Sequence, residues 1–313
     1  MRVVRDGAID ALHSGHVVVV GGDGDIVAAH GDPTVVTYPR SALKPFQAAA
    51  VLEMAGARPP TDELAIMAAS HVGTHAHQVA VVGLLDRAGL TAGALRCPPA
   101  LPTDAAALRQ RPAATRLAHN CSGKHAGFLL AAVGVGAPLD DYLHPEHPVQ
   151  QAVLARLRAA SEVHPQGPGV DGCGAPAWRL PLHALARAFV ALADADAEAS
   201  AVATAMRTHP ALVGGHQIVD TELMQAEPTI VAKRGAEGTL ACVVLPPVGP
   251  LGIAIKVSDG AARAVGPVAV AIIERFGLRG AHGLRCPEVL GGGVRHGAVE
   301  VTDELERALA GLT

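Results

Sequence analysis

The chain has 313 residues, enough for one large domain or about two ordinary ones. Half of them are hydrophobic but only 2% are aromatic, so a core has to be built from Ala, Val, Leu and Ile, with closely packed helices. A formal net charge of -4 without a long basic run excludes nucleic acid and anionic membrane surfaces as partners.

Residues 1–20 mix Arg, Asp and His with one short apolar run, too short for a signal segment or a membrane span, so a cytoplasmic protein is expected. The valines at 17–20, the turn formers Gly21-Gly22-Asp23-Gly24-Asp25 and the return run at 26–29 predict a β-hairpin, with a further extended piece at 34–38. The middle of the chain is rich in Ala and Leu over stretches of helical length: 47–57, 74–88, 124–133, 148–160, 182–193 and 199–208. Strand patterns return at 229–233, 240–245 and 251–257, before helices at 261–276 and 303–309. Strands joined by short turns thus bracket a helix-rich middle at about 45–215. The expected fold is α/β: one antiparallel sheet from both chain ends, with a helical insertion packed on it. No repeat or linker divides the chain, and 1–313 reads as a single domain. Five cysteines, an odd number without a C-x-x-C pair, speak against a disulfide framework.

The sharpest local feature is Ser41-Ala42-Leu43-Lys44-Pro45. Proline has no N–H and is comfortable in a helix only within its first turn, which puts Ser41 and Lys44 one turn apart at a helix N-terminus. A lysine amine that loses its proton there can act as base for the serine hydroxyl. S-x-x-K is also the first element of the β-lactamase and penicillin-binding signature, and the plain alternative is an N-cap serine beside a surface lysine. Ser70, ahead of Gly73, can present a second hydroxyl at a helix exit, or merely end that helix. Lys256 closes an apolar strand and opens the turn Ser258-Asp259-Gly260. There it either meets Ser41 and Ser70 or faces solvent. Cys121 and Cys173 lie in two distant glycine-containing loops, and together with Lys124, His125 or water they offer a tetrahedral zinc site; buried unreactive thiols are the alternative. Asp171, in Asp171-Gly172-Cys173-Gly174, suits a substrate ammonium group or a simple turn. Gly123-Lys124 is no phosphate-binding loop, because His125 stands where the hydroxyl residue belongs.

Six strings in order resemble the Rhizobium-type bacterial asparaginase II family. They are Arg40-Ser41-Ala42-Leu43-Lys44-Pro45-Phe46-Gln47, Ser70-His71-Val72-Gly73 with His75, His119-Asn120-Cys121-Ser122-Gly123-Lys124-His125, Asp171-Gly172-Cys173-Gly174-Ala175-Pro176, Lys233-Arg234-Gly235-Ala236-Glu237-Gly238 and Lys256-Val257-Ser258-Asp259-Gly260. The resemblance implies a fold similar to serine β-lactamases and glutaminases, and a homodimer. It implies two serine–lysine pairs, Ser41 with Lys44 and Ser70 with Lys256, and a supporting zinc ion on Cys121, Lys124, Cys173 and water. It further suggests Arg40 and Asp171 as substrate-orienting groups. Two segments depart from the family pattern. Asp10-Ala11-Leu12-His13-Ser14-Gly15 lacks the leading Glu and the Arg before the final Gly, and Gly214-Gly215-His216-Gln217-Ile218 lacks an arginine after its glycines.

The implied reaction is hydrolysis of L-asparagine to L-aspartate and ammonia through an acyl-serine, with Ser41 as nucleophile. A penicillin-type serine hydrolase and a non-enzymatic zinc-binding protein are the competing readings.

Overall fold

The structure, a computed structural model, describes residues 1–56, 58–194, 197–245 and 249–311. Ala57, the expected end of the first helix, and residues 312–313 lie outside them.

The central sheet has five antiparallel strands drawn from both chain ends. These are β1 (Gly15–Val20), β2 (Ile26–His30), β3 (Ile230–Arg234), β4 (Thr239–Val244) and β5 (Leu251–Val257), in the spatial order β2-β1-β5-β4-β3. The long-range pairing joins β1 to β5, with Val18 opposite Ala254 and His16 opposite Lys256. Val17 to Val20 and the whole of β4 are buried, as a sheet covered on both faces requires. Gly252 is needed where it stands: a Cβ there would collide with the carbonyl of Ala186, on the helix Leu182–Asp194 that covers the sheet.

Two further sheets do not follow from the sequence patterns. Arg2–Arg5 and Ala8–Leu12 pair with Glu288–Gly291 and Val294–Glu300 in a separate four-stranded sheet, so the chain ends build two sheets where one is expected. Its strands are short, and Ile9, Leu12, Leu290 and Val294 are exposed, which erases the inside–outside alternation that marks a strand. A three-stranded sheet joins Val36–Thr37, Pro176–Pro181 and Gln166–Val170.

The helical middle packs on the central sheet through small residues. Helix α1 (Lys44–Met54) lies against α2 (Thr61–Met67) and α3 (Ser122–Gly134), and Ala48, Ala49, Ala50, Ala126, Ala131 and Ala132 are all buried. Among the few aromatics, Phe46 meets Phe189 edge to face at 5.5 Å and ties α1 to the sheet-covering helix. The expected helix at 261–276 is divided into a 3₁₀ turn, Ala262–Ala264, and a helix, Val265–Arg275. Among the described residues no helix is long and apolar enough to cross a membrane.

Candidate active site

Pro45 sets the local geometry. It falls in the first turn of α1, and the chain reaches it through a 3₁₀ turn, Arg40–Leu43. Arg40 stands in the left-handed region at φ 54°, a conformation that a non-glycine residue holds only where its surroundings enforce it. The end of the edge strand β3 packs against the residue before it: a Cβ at Gly235 would collide with the carbonyl of Pro39. Glycine there lets sheet and serine turn touch.

Lys44 is buried, 1% exposed. Its Nζ donates to Ser70 Oγ at 3.0 Å, to Asn120 O at 3.3 Å and to Ala69 O. Burial lowers the pKa of this amine, the charge of Lys124 adds to the lowering, and the thiols of Cys121 and Cys173 oppose it. Among the described residues its hydroxyl partner is therefore Ser70, not Ser41. Ser41 lines the same small space as Lys44 and is half-buried, whereas Ser70 is only 4% exposed. That space, bounded by Arg40, Ser41, Lys44, Lys124, Asp171 and Trp178, measures about 10 Å³, the room for roughly one water centre. Arg40 closes it, with Nη2 at 2.6 Å and Nε at 2.8 Å from Asp171 Oδ1.

The loop that carries Ser70 is fixed by His71, which is buried. Gly73 N–H donates to its Nδ1 at 3.1 Å, so Nε2–H donates to Ser122 Oγ at 2.9 Å, and that hydroxyl donates to Leu117 O. Ser70 N–H and Val72 N–H donate to the carbonyls of Val213 and Gly214, pinning the loop from its other side.

Lys256 does not pair with Ser70. Its Nζ donates to the carbonyls of Glu237 and Val257, the latter at 2.9 Å, and it is partly exposed. The reason is topological: β5 is the middle strand of the sheet, and the strands that meet the serine turn are β3 and β4. The lysine of β3 is Lys233, which stands in one of the six family-like strings with no role assigned to it there. It is fully buried, with Nζ 2.9 Å from Asp220 Oδ2 and 3.1 Å from Arg234 O. Burial brings its pKa down to about 8, Arg234 and Lys44 adding to the lowering against Asp220. The available signal was a lysine at the end of the apolar Ile230-Val231-Ala232, followed by Arg and Gly, the lysine–x–glycine spacing of the penicillin-recognising signature.

Lys233→Met should cost about 3 kcal/mol of stability in urea unfolding, because it strands the buried Asp220 carboxylate. Asp220→Asn combined with Lys233→Met should recover most of the loss.

The cysteines converge as expected. Cys121 and Cys173 are buried, and Lys124 Nζ donates to Cys173 Sγ at 3.1 Å. Hydrogen bonding to Cys173, with the charges of Lys44 and Lys124, holds Cys121 well below the usual thiol range against the effect of burial. For Lys124, burial would lower the pKa, but the two thiols outweigh it and raise the value. Two sulfurs and an amine suit zinc by donor type, provided the ion displaces the Lys124 proton. Among the described residues no group of three or more His, Cys, Asp and Glu is placed to hold a metal.

A family model described as L-asparaginase II matches residues 1–301. No curated protein matches the chain. Among solved structures, it is similar to a Bacillus glutaminase crystallised in the presence of 4.3 M NaCl, at 13% identity over 78% of this chain and 83% of that one. The TM-score is 0.36, and a likeness that distant carries no argument.

Proposed function

The chain belongs to the L-asparaginase II family and is an amidohydrolase; from that premise we propose that it hydrolyses the side-chain amide of L-asparagine through an acyl-serine on Ser41. The observation that carries this reading is a fully buried, pKa-lowered lysine bonded to one serine and lining a closed space with another. Ser41 is the hydroxyl a substrate can reach, so it attacks the amide carbon. Lys44 takes its proton, and Ser70, at 3.0 Å from Lys44, passes a proton on to the departing ammonia. Water then opens the ester by the same route in reverse. Lys233 is a third buried amine beside Lys44 and Lys124, bonded to Asp220 and not to Ser70, and the charge of Lys44 is among the causes that lower its pKa.

Arg40 and Asp171 form an ion pair over a space far too small for an amino acid. A zwitterionic substrate replaces each half of that pair, its ammonium on Asp171 and its carboxylate on Arg40. Zinc belongs to the proposal as a supporting ion on Cys121, Cys173 and Lys124, where it would supply positive charge and fix the loops beside the substrate. A homodimer belongs to it as well, supported by the exposed apolar side chains of Ile9, Leu12, Leu290 and Val294 on the outer sheet.

Steady-state ammonia release from L-asparagine and L-glutamine, each with and without chelator, tests the reading. Turnover of L-asparagine that survives metal removal at reduced efficiency is expected. Zinc binding should weaken as pH falls, because Lys124 must be neutral to ligate. No ammonia from either amide, together with covalent labelling by a penicillin, would move the chain to the penicillin-type hydrolases.

A further inference from the structure

Arg234 is not explained by the chemistry above, yet it touches three members of the cluster. Its Nη2 donates to Ser70 O at 2.8 Å. Its backbone N–H donates to Asp220 Oδ2 at 3.2 Å, and its carbonyl accepts from Lys233 Nζ at 3.1 Å. Its Nε lies 3.6 Å from Asp220 Oδ1 and has no hydrogen-bond partner. The side chain is 31% exposed and lines a cavity of about 320 Å³, with Gln217 and Ile218 beside it.

This arrangement is not what a stabilising surface ion pair looks like. An arginine on a sheet edge would ordinarily place its fork in water, where an ion pair contributes little. Here the fork ends on the peptide carbonyl of the serine that Lys44 contacts. A carbonyl held by a charged donor is fixed in orientation, and so is the Cα–Cβ bond that aims the hydroxyl of the same residue. Arg234 also carries the carbonyl that seats Lys233, so one residue sets the register between Ser70 and the buried amine. Asp220 anchors it from below, through both its backbone and its side chain.

We infer that Arg234 is a positioning residue for the Ser70 hydroxyl, holding it on Lys44 through the Nη2–Ser70 O bond while its own backbone seats Lys233 and Asp220. The inference rests on the reading of Ser70 as a participant in proton transfer. It predicts a defect in turnover and not in substrate affinity, since Arg234 does not line the space bounded by Arg40, Ser41 and Asp171. A lysine at this position keeps the charge but not the planar fork, and it should restore only part of the function.

The test is a double-mutant cycle on ammonia release from L-asparagine, using the full chain and the variants Ser70→Ala, Arg234→Gln and the two combined. Arg234→Gln should lower kcat by about 10- to 100-fold with KM within about twofold of the parent. In the Ser70→Ala background the same substitution should cost almost nothing, because the group it positions is gone. Arg234→Lys should recover part of kcat, and added guanidinium ion at millimolar concentration should raise the rate of Arg234→Gln but not of the double variant. Independent, multiplying losses in an impaired Ser70→Ala background would overturn the role of Arg234 alone, as would a loss confined to KM. A fully active Ser70→Ala would instead remove the reading of Ser70 on which the inference rests. Should Arg234→Gln fail to fold, Arg234→Lys carries the same cycle.

Discussion

Ammonia release from L-asparagine should fall by roughly 10⁴- to 10⁶-fold in Ser41→Ala, with little change in KM, since the nucleophile's loss leaves only substrate binding and charge stabilisation behind. Ser70→Ala should cost less, about 10²- to 10⁴-fold, as expected for a group that moves protons and forms no bond to carbon. The order of the two losses is the informative part. Ser41 is half-buried on the closed space beside Arg40 and Asp171, whereas Ser70 is covered and bonded to Lys44. Trapping the acyl-enzyme by rapid quench and intact-mass measurement should show the aspartyl adduct in Ser70→Ala and not in Ser41→Ala. Full activity in the Ser41 variant ends the assignment.

Lys44→Met should lower kcat by about 10³-fold while leaving the fold as stable as before or more so. Both halves follow from burial. In the folded chain the amine titrates below its ordinary 10.5, because burial, followed by Lys124, penalises the charged form. Between the lowered value and 10.5 the unfolded chain therefore binds more protons than the folded one, and stability rises with pH across that window. Methionine removes the charge whose burial is unfavourable, at similar volume. The acid limb of the pH profile of kcat/KM should accordingly lie below 10.5 in the parent. A Met variant that melts well below the parent would mean that Lys44 holds the structure together and does not serve as base.

What could be read from the sequence was what depends on neighbours in the chain. Pro45 forces a first turn wherever it is placed in a helix, so the placement of Ser41 and Lys44 at the start of α1 needed no knowledge of the rest of the molecule. The valine run of β1 and the apolar runs of β4 and β5 likewise show their burial locally. The choice between Lys233 and Lys256 was of another kind. Both close apolar strands, both precede glycine-containing turns, and only the order of strands in the sheet decides which faces Pro39. That order is set by long-range pairing, which no window of residues contains. Asp220 shows the same limit: it lies in the first turn of Val219–Ala226, a common surface position, and becomes a buried counter-charge only because β3 passes beside that helix. The outer sheet escaped notice because its strands are short and mostly exposed.

The pairing of β1 with β5 also bears on how the protein is made. Val17 to Val20 emerge from the ribosome with only β2 beside them, while the strand that covers their other edge follows after the whole helical middle. Until then a bare valine edge is exposed, the kind of segment that pairs with other nascent chains. Non-local topology of this sort folds slowly. The pocket shares this timing, because Arg234 reaches Ser70 only on a strand that belongs to the finished sheet. Competence for turnover should thus arrive abruptly once the late strands are made, and yield in expression should respond to chaperone supply and lowered temperature more than to substitutions around the serines.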